Sequence, residues 1–570
     1  MCGILAIFSD DAASIPAARA QILLDRMAHR GPDARGVHAG DFSRPGNKGP
    51  AFWLGHRRLA IVDPEGSPQP FTKERVAWVA NAEIYNHVQL RADIQGEHPR
   101  GDCAVLGPLW KLWGEDLPDR LLGPFALVLV DEVSGEWMAA RDAMGICPLY
   151  RGRCADGSIW FASEMKALID DCEEIESVAP GTLVSGRGIR AESKVWYAPR
   201  WEQAAASELD QPADEAKLRQ LMIDAVVDRL MSDVPSGVLL SGGLDSSLVA
   251  AIAARHAERF PGHPKGSQMI ATFSIGMKGS PDLAAARKVA RFIGSDHHEF
   301  EFTSEEALAV VPKVVYHLES FEQIRTAVPT LLLAQKVKAL GIKMVLSGEG
   351  ADEIFGGYLY FHRAPDAQAF HEETVRKLRR LHQFDVMRAN KAPMAFGLEL
   401  RFPFLDRRLV DWVMELDPRL KMVGAASRGP VIEKHLLRSA FDEITSPWLP
   451  QSTLWRQKEQ FSDGVGYDWV DSLKAHAETR LGGQDFEESV ARFGDDAPAS
   501  PEMLWMRELF EERFVRGRAA GASALATVPR GKSLACSTPE ALAWHREWSE
   551  GPVDMSGRAA TDIHSGAKET

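Results

Sequence analysis

The chain has 570 residues, of which 45% are hydrophobic, and its formal net charge is −14, from 66 Lys and Arg residues against 80 Asp and Glu residues. This length exceeds what one ordinary hydrophobic core encloses, so we expect two domains or slightly more. The acidic balance argues against nucleic acid or an anionic membrane surface as the main partner.

The six cysteines form no CxxC pair, and their spacing fits neither a zinc site nor a secreted disulfide scaffold. The N-terminus lacks the basic start of a signal peptide, and no stretch reaches the ~18 apolar residues of a membrane span. We therefore predict a soluble protein of the reducing cytoplasm, with no membrane partner.

Residues 1–200 alternate short apolar runs with turn residues, which predicts a strand-rich, layered α/β domain. Such runs are 3–8, 76–80 and 125–130, and a helical pattern at 22–27 falls between the first two. The polar, Ala-rich segment 200–214 then predicts a linker.

The second half repeats a strand-then-loop pattern. Residues 238–240 lead into a Gly/Ser loop and a helical stretch at 247–255, and 269–275 and 343–346 are further predicted strands. Strands that alternate with helices predict a parallel sheet with crossovers. The pattern is mostly helical from 359 to 440, and the composition after about residue 525 predicts a partly ordered tail.

Cys2 directly follows the initiator Met. Removal of Met1 would leave Cys2 with a thiol and a free α-amine, and a neighbouring amine can act as the base that makes the thiolate. A Cys at position 2 is usually incidental when it stands alone. Four further segments follow it in order, namely RGPD (30–33), GHRRLAIVD (55–63), NAEIYNH (81–87) and GDC (101–103).

Together with the N-terminal MCGI, these segments resemble the motifs of class II glutamine amidotransferases in order and approximate spacing. The resemblance implies an N-terminal-nucleophile (Ntn) domain of αββα type in which Cys2 attacks the side-chain amide of glutamine. It also implies that the Asn81 side chain and the backbone N–H of Ala82 stabilise the tetrahedral oxyanion.

The same resemblance implies a binding site for glutamine itself. Arg58 would hold the α-carboxylate, while Glu83 and Asp102 would hold the α-ammonium group. The remaining implied glutamine contacts are Leu59, Ala60, Ile61 and Val62. Standing alone, the three charged residues would be interpreted as surface or structural ion pairs.

Three positions depart from the family pattern. Ala82 replaces the usual Gly, Gly101 the usual Ser, and Ala104 the usual Glu. If residue 82 acts only through its backbone N–H, Ala can serve unless its φ is positive.

The segment LSGGLDSS (240–247) lies between a predicted strand and a predicted helix. Glycines let the backbone approach a ligand closely, and the helix presents free N–H groups and the positive end of its dipole. The segment resembles the pyrophosphate loop of ATP pyrophosphatases, which differs from the Walker loop in lacking its Lys. The alternative is an ordinary helix after a Gly turn. The implied ATP contacts are Leu240, Ser241, Gly242, Gly243, Asp245, Ser246, Ile275, Ser347, Gly348 and Lys458.

A carboxylate inside a phosphate loop would repel the ligand unless a cation intervenes, so Asp245 is a predicted Mg²⁺ contact. Asp352 is a second candidate metal ligand, in the loop SGEGADEIFGGY (347–358) that follows another predicted strand. Loops after parallel strands lie at the sheet edge where open α/β sheets bind ligands.

The segments SGEGADEIFGGY, RFPFLD (401–406) and RQKEQFSDGVG (456–466) resemble those of glutamine-using asparagine synthetases, and the likeness extends over nearly the whole chain, including the tail around 534–537. It implies that Glu349 assists formation of a β-aspartyl-adenylate and takes a proton from ammonia, and that Lys458 neutralises phosphoryl charge. Asp282 and Arg325 are implied contacts of aspartate or pyrophosphate. Residues 321–325 form a segment about two residues shorter than the family pattern.

The combined prediction is a glutaminase domain at 1–200, an ATP pyrophosphatase-type synthetase domain at 215–525 and a tail at 526–570. The family implies glutamine, aspartate and ATP as substrates, Mg²⁺ as cofactor, an internal passage for ammonia and a homodimer. One alternative is an amidotransferase of the same architecture that acts on another carboxylate. The other is a non-catalytic regulatory relative, which would be expected to have lost Cys2, Asp245 or Lys458.

Overall fold

The computed structural model describes residues 1–11, 16–42, 51–96, 99–259, 269–424, 431–458, 464–483, 485–529, 541, 543 and 544. Two six-stranded antiparallel sheets occupy the first part of the chain, and a five-stranded parallel sheet follows. The predicted α/β class is confirmed. Residues 459–463 and 534–537, which belong to two of the family-like segments, lie outside the described residues.

The first sheet has the order β10-β8-β9-β1-β3-β2 and the second β12-β11-β7-β6-β5-β4. Their strands are β1 (Gly3–Ser9), β2 (Ala34–Asp41), β3 (Ala51–Arg58), β4 (Phe71–Lys73), β5 (Val76–Ala82), β6 (Phe125–Asp131), β7 (Glu136–Arg141), β8 (Tyr150–Arg153), β9 (Ile159–Ala162), β10 (Glu174–Ser177), β11 (Thr182–Arg187) and β12 (Arg190–Val195).

The two antiparallel sheets pack face to face between helical layers. Along β5, Ala77 and Val79 join the core shared with β1, whereas Trp78 and Ala80 join a separate cluster beneath the helix Leu106–Trp113. This alternation is the two-residue period of a strand that is buried on both faces. The helix Ala17–Asp25 covers the other sheet, which completes the predicted αββα layering.

The parallel sheet has the order β15-β14-β13-β16-β17. Its strands are β13 (Ser236–Leu239), β14 (Ala271–Gly276), β15 (Asp296–Glu301), β16 (Met344–Leu346) and β17 (Glu399–Arg401). The chain moves outward from β13 to β14 and β15, then returns to β16 on the other side. This reversal of strand order opens a crevice at the carboxyl ends of the strands.

The helices of the described residues are α1 (Ala17–Asp25), α2 (His87–Leu90), α3 (Leu106–Trp113), α4 (Leu117–Arg120), α5 (Glu215–Asp228), α6 (Leu244–Arg255), α7 (Pro281–Ile293), α8 (Ser304–Leu318), α9 (Ile324–Ala339), α10 (Ala351–Phe355), α11 (Ala367–Arg380), α12 (Asp385–Met394), α13 (Arg407–Met414), α14 (His435–Ala440), α15 (Gln451–Leu454), α16 (Tyr467–Leu481), α17 (Phe486–Val490), α18 (Pro501–Phe514) and α19 (Gly521–Ala526). None of them is both long and apolar enough to cross a bilayer.

The segment 200–214, predicted as a linker, packs against the second half of the chain. Trp201 is buried and donates its indole N–H to Asp411 at 2.9 Å, and Gln211 bridges to Leu416. Helix α5 then begins at Glu215, where the Asp214 side chain accepts the Lys217 N–H.

Candidate active sites

Cys2 lies immediately before β1 and is buried. Its sulfur accepts the backbone N–H of Leu59 at an N–S distance of 3.4 Å. Burial raises the pKa of the Cys2 thiol above its ordinary value, because the thiolate would lose the stabilisation of water. A nucleophile in this setting needs a base before it can attack.

Asn81 stands beside Cys2, near the end of β5. The Asn81 Oδ1 accepts the backbone N–H of Cys2 at 2.6 Å, while its buried Nδ2 has no hydrogen-bond partner among the described residues. A buried amide donor left without a partner is what an oxyanion would need. Ala82 is the last residue of β5 and extended, so replacement of the usual Gly imposes no left-handed backbone on Ala.

The charged residues of the implied glutamine site are all buried. Arg58 donates to the backbone carbonyls of Val62, Asp63 and Pro64 at 2.7–3.2 Å, so part of its guanidinium already holds the neighbouring loop. Asp102 accepts the Ile84 N–H at 2.7 Å.

Residues 59–62 form a loop that both halves of the chain hold. Asp33, from the RGPD segment, accepts the Ala60 N–H at 2.8 Å and the ammonium of Lys343 at 2.8 Å. The Ile61 carbonyl accepts the Asp233 N–H at 2.9 Å. Because Asp233 and Lys343 belong to the second half, this loop and the second half of the chain are in direct contact.

A chain of buried charges leads from Cys2 into the second half. The ammonium group of Met1 contacts the carboxylate of Glu399 in β17, and both groups are buried. Arg401 donates to Glu399 at 2.7 Å and to Glu83 at 2.6 Å. Burial raises the pKa of Glu83 well above its ordinary value, and the Arg401 guanidinium opposes that shift.

A second buried group of charges, which we call the interface ion cluster, joins the halves beside this chain. It consists of Arg30, Glu164, Lys166, Glu319 and Lys391, with side chains at most 3% exposed. Glu319 accepts from Lys391 Nζ at 2.6 Å and from the backbone N–H groups of Met165 and Lys166 at 2.9 and 2.6 Å. Arg30 also donates to the Cys2 carbonyl at 2.9 Å, so the cluster reaches the nucleophile.

A cavity of about 300 Å³ lies in the second half of the chain, at the carboxyl ends of β13, β14 and β16. The implied ATP and substrate residues meet on its wall, with the exception of Gly242. The wall residues among them are Leu240, Ser241, Gly243, Asp245, Ser246, Ile275, Asp282, Arg325, Ser347, Gly348, Glu349, Asp352 and Lys458.

The two glycines of the loop serve different purposes. Gly242 has φ +81°, and a Cβ there would lie 2.4 Å from the backbone N of Ala286 in α7, so Gly is needed for packing against that helix. Gly243 is the N-cap of α6 and faces the cavity, where the nearest atom to an added Cβ is the Ser241 Oγ at 3.5 Å. Helix α6 begins at Leu244, three residues earlier than the sequence pattern indicates, because this N-cap starts it inside the motif.

Asp245 and Asp352, the predicted metal contacts, lie on either side of one ammonium group. Lys434 Nζ is 2.6 Å from Asp245 Oδ2 and 2.6 Å from Asp352 Oδ1, and Lys458 Nζ is 2.5 Å from Asp352 Oδ2. Burial alone would raise the pKa of Asp352, but the two ammonium groups outweigh it and hold that pKa below its ordinary value. The described residues contain no group of three or more His, Cys, Asp or Glu that could hold a metal without further ligands.

Glu349 faces the same cavity from the loop after β16. Its carboxylate accepts from Arg388 Nη2 at 2.7 Å, and Arg388 also lies 3.2 Å from Asp385. Burial raises the pKa of Glu349 above its ordinary value, although Arg388 counteracts it. A carboxylate whose pKa is raised is a stronger base than an ordinary carboxylate and is better suited to accept a proton.

Asp282 and Arg325, the implied contacts of aspartate or pyrophosphate, are also engaged in ion pairs. Arg325 forms a two-pronged pair with Glu502 of α18 at 2.7 and 2.9 Å. Asp282 is 3.6 Å from Arg456.

Lys434 and Arg388 were not predicted from the sequence as site residues. Lys434 pairs with the predicted residue Asp245, and Arg388 pairs with the predicted residue Glu349. Lys434 lies 189 residues from Asp245, and Arg388 lies 39 residues from Glu349. Neither belongs to a segment whose residue types and spacing indicate chemistry. Only the fold brings them to the cavity.

Two features define the class of two-domain glutamine amidotransferases. One is the layered first half, in which a buried Cys lies beside an Asn amide without a partner among the described residues. The other is the parallel sheet with its glycine loop. A glutamine amidotransferase domain model matches residues 1–195, and an asparagine synthase model matches residues 217–369 and 364–546. The chain therefore belongs to the asparagine synthase family.

Full-length relatives agree with this assignment. The chain is 46% identical over 580 residues to asparagine synthetase [glutamine-hydrolyzing] 2 of Arabidopsis thaliana, and the aligned region covers 100% of this chain and 96% of that relative. It is 45% identical over 579 residues to asparagine synthetase [glutamine-hydrolyzing] 2 of Oryza sativa subsp. japonica, with 100% and 94% covered. Among solved structures, the allosteric regulatory enzyme of purine biosynthesis has 18% identity and a TM-score of 0.30, over 53% of this chain and 80% of that one.

Proposed function

We propose that this protein makes asparagine from aspartate, with glutamine as nitrogen donor and MgATP as the source of activation. The observation that supports the proposal is that one chain carries both arrangements: Cys2 next to the unpartnered Asn81 amide, and the glycine loop with Glu349 on one cavity. We assign the first reaction to residues 1–200 and the second to residues 215–525.

In the first half, the Cys2 sulfur attacks the side-chain amide of glutamine to give a thioester, and ammonia leaves. Water then hydrolyses the thioester to glutamate. After removal of Met1, the free α-amine of Cys2 is the base for both steps, since burial otherwise keeps the thiol protonated. Asn81 Nδ2 and the Ala82 N–H stabilise the oxyanion, while Arg58 binds the α-carboxylate and Glu83 and Asp102 bind the α-ammonium of glutamine.

In the second half, an oxygen of the aspartate β-carboxylate attacks the α-phosphorus of ATP, which gives β-aspartyl-AMP and releases pyrophosphate. Ammonia then attacks the acyl carbon, AMP leaves, and Glu349 accepts the proton. Asp245 and Asp352 would hold Mg²⁺, because they already enclose a cationic group and Mg²⁺ binds through one or two carboxylates plus phosphate oxygens. The metal would neutralise phosphate charge, as would Lys458.

Free ammonia would be protonated and lost in bulk water, so we propose that it moves inside the protein from Cys2 toward the cavity that Glu349 faces. The interface ion cluster supports such a route, because Arg30 donates to the Cys2 carbonyl and the cluster continues to Glu319 and Lys391 of the second half. A cytoplasmic location and a homodimer remain predictions from the family.

The test is product analysis with aspartate, MgATP and amide-labelled glutamine. The wild type should give labelled asparagine, AMP and pyrophosphate, and Cys2→Ala should make asparagine only from added ammonium. Cys172→Ala removes a different buried thiol and should behave as the wild type. Release of glutamate without AMP or asparagine would instead indicate another carboxylate acceptor, and escape of all the nitrogen to an external trap would exclude an internal route.

A further inference from the structure

Among the carboxylates on the described wall of the cavity that Glu349 faces, Glu322 alone has no cation of that wall within ion-pair distance. The wall carries eight carboxylates and six Lys or Arg cations. Seven of the carboxylates lie within ion-pair distance of one of those six cations. Glu322 has no cation beside it among the described residues, and burial alone raises the pKa of its carboxyl group to about 7.

The position of Glu322 is fixed by its neighbours. Phe321 packs edge-on against Phe510 of α18 with ring centroids 5.4 Å apart. The Ser320 hydroxyl accepts the Glu322 N–H at 3.1 Å, and Gln323 then takes a left-handed conformation, φ 61°, as the N-cap of α9. The backbone is therefore held on both sides of Glu322, and the Glu322 side chain lines the cavity.

A partly buried carboxylate with no counter-ion beside it is unfavourable unless a ligand supplies the positive charge. The substrates of the proposed reaction offer two cations, the α-ammonium group of aspartate and Mg²⁺. Glu322 belongs to no group of three metal-ligating side chains among the described residues, whereas Asp245 and Asp352 already share a cation elsewhere on the wall. A single carboxylate suits a monovalent ammonium group better than a divalent ion that needs several oxygen ligands.

We propose that Glu322 binds the α-ammonium group of the amino-acid acceptor and thereby selects aspartate over dicarboxylates that lack an amino group. The inference rests on the proposed function, since it assigns a specificity-determining residue to the same cavity. It also explains how the cavity can distinguish the two ends of aspartate: the loop 240–246 faces the end to be activated, and Glu322 faces the amino group.

The test compares aspartate with succinate, which is aspartate without its α-amino group. Glu322→Gln keeps the shape and removes the charge. We expect kcat/KM for aspartate, with ammonium as nitrogen donor, to fall about 10- to 100-fold, the range for a hydrogen bond to a charged group. The inhibition constant of succinate should change less than twofold, and Glu322→Asp should restore part of the loss. Glu305→Gln, at an exposed site in α8, is the matched control and should leave both values unchanged.

Three outcomes would overturn the proposal. Equal weakening of aspartate and succinate would show that Glu322 has only a structural role. An unchanged kcat/KM for aspartate would show that Glu322 does not contact it. A shift in the Mg²⁺ concentration needed for half-maximal rate would make it a metal ligand. Glutamate release from glutamine in the same preparations reports that each variant is folded, and a wild type that forms no AMP with aspartate would refute the proposed function itself.

Discussion

Glu319 in the interface ion cluster offers a quantitative test of how the two halves are held together. The change Glu319→Gln removes a carboxylate that is fully buried and accepts from Lys391 Nζ at 2.6 Å and from two backbone N–H groups. Loss of one partner of a buried pair costs about 3–5 kcal/mol, because the other charge stays buried without compensation. Lys391 keeps the Tyr150 hydroxyl at 2.7 Å and the Leu318 carbonyl at 3.2 Å, so we expect a loss near the lower end, about 3 kcal/mol.

The assay is urea unfolding followed by tryptophan fluorescence, with the ratio of glutamine-dependent to ammonium-dependent asparagine formation as a second readout. The double variant Glu319→Gln/Lys391→Met removes both charges and should recover at least half of the lost free energy of unfolding. Glu299→Gln is the matched control, because its pair with Arg287 has the same 2.6 Å distance but is partly exposed; it should cost less than about 1 kcal/mol. A loss below about 1 kcal/mol in Glu319→Gln, or a double variant that loses the sum of both single changes, would refute the reasoning.

Three further perturbations test the sites and the core. Asn81→Ala should lower kcat for glutamine hydrolysis about 10²- to 10³-fold and leave ammonium-dependent synthesis intact. Asn86→Ala is the control, because the Asn86 amide only holds the backbone at Arg120 and Leu122. Equal losses of kcat in both variants would contradict the oxyanion assignment. Arg388→Met removes the cation that lowers the pKa of Glu349, so the loss of asparagine formation from glutamine, relative to the wild type, should be greater at low pH than at high pH; a loss of equal size at every pH would show that Glu349 does not titrate in the reaction. Burial lowers the pKa of Lys421 from 10.5 to about 7, so the unfolded chain binds the proton more tightly and the protein loses stability as pH falls from 10.5 towards 7. Lys421→Met should therefore raise the free energy of unfolding by roughly 1–4 kcal/mol at pH 7, with a gain that shrinks towards pH 10, and a gain independent of pH would count against the titration.

The sequence was informative where residues act near their own strand. The loops after β13 and β16 meet because the ends of neighbouring parallel strands share one edge, so Asp245 and Glu349 could be assigned to one site from strand order alone. In the first half, Cys2 was assigned to the glutamine segments by the family resemblance, which did not give the contact between Cys2 and Asn81.

Charge pairing across the fold could not be predicted in this way. Arg401 reaches Glu83 over 318 positions, and no period in the chain indicates which cation faces which carboxylate. Strand β17 lies inside the segment 359–440, for which the sequence predicts mostly helix. It was not predicted because it has only three residues, and two of them, Glu399 and Arg401, are charged. Its burial therefore depends on those ion pairs as well as on the apolar packing of Leu400.

The ammonium group of Lys434 between Asp245 and Asp352 has a consequence for how the nucleotide enters. A divalent ion held by the same two carboxylates would displace this ammonium, which would then be available to a phosphate oxygen. Loading of the cavity would thus be an exchange of counter-ions in which the displaced ammonium acquires a new anionic partner. Metal and nucleotide are expected to enter together, because either one alone would leave Lys434 or the two carboxylates without a partner.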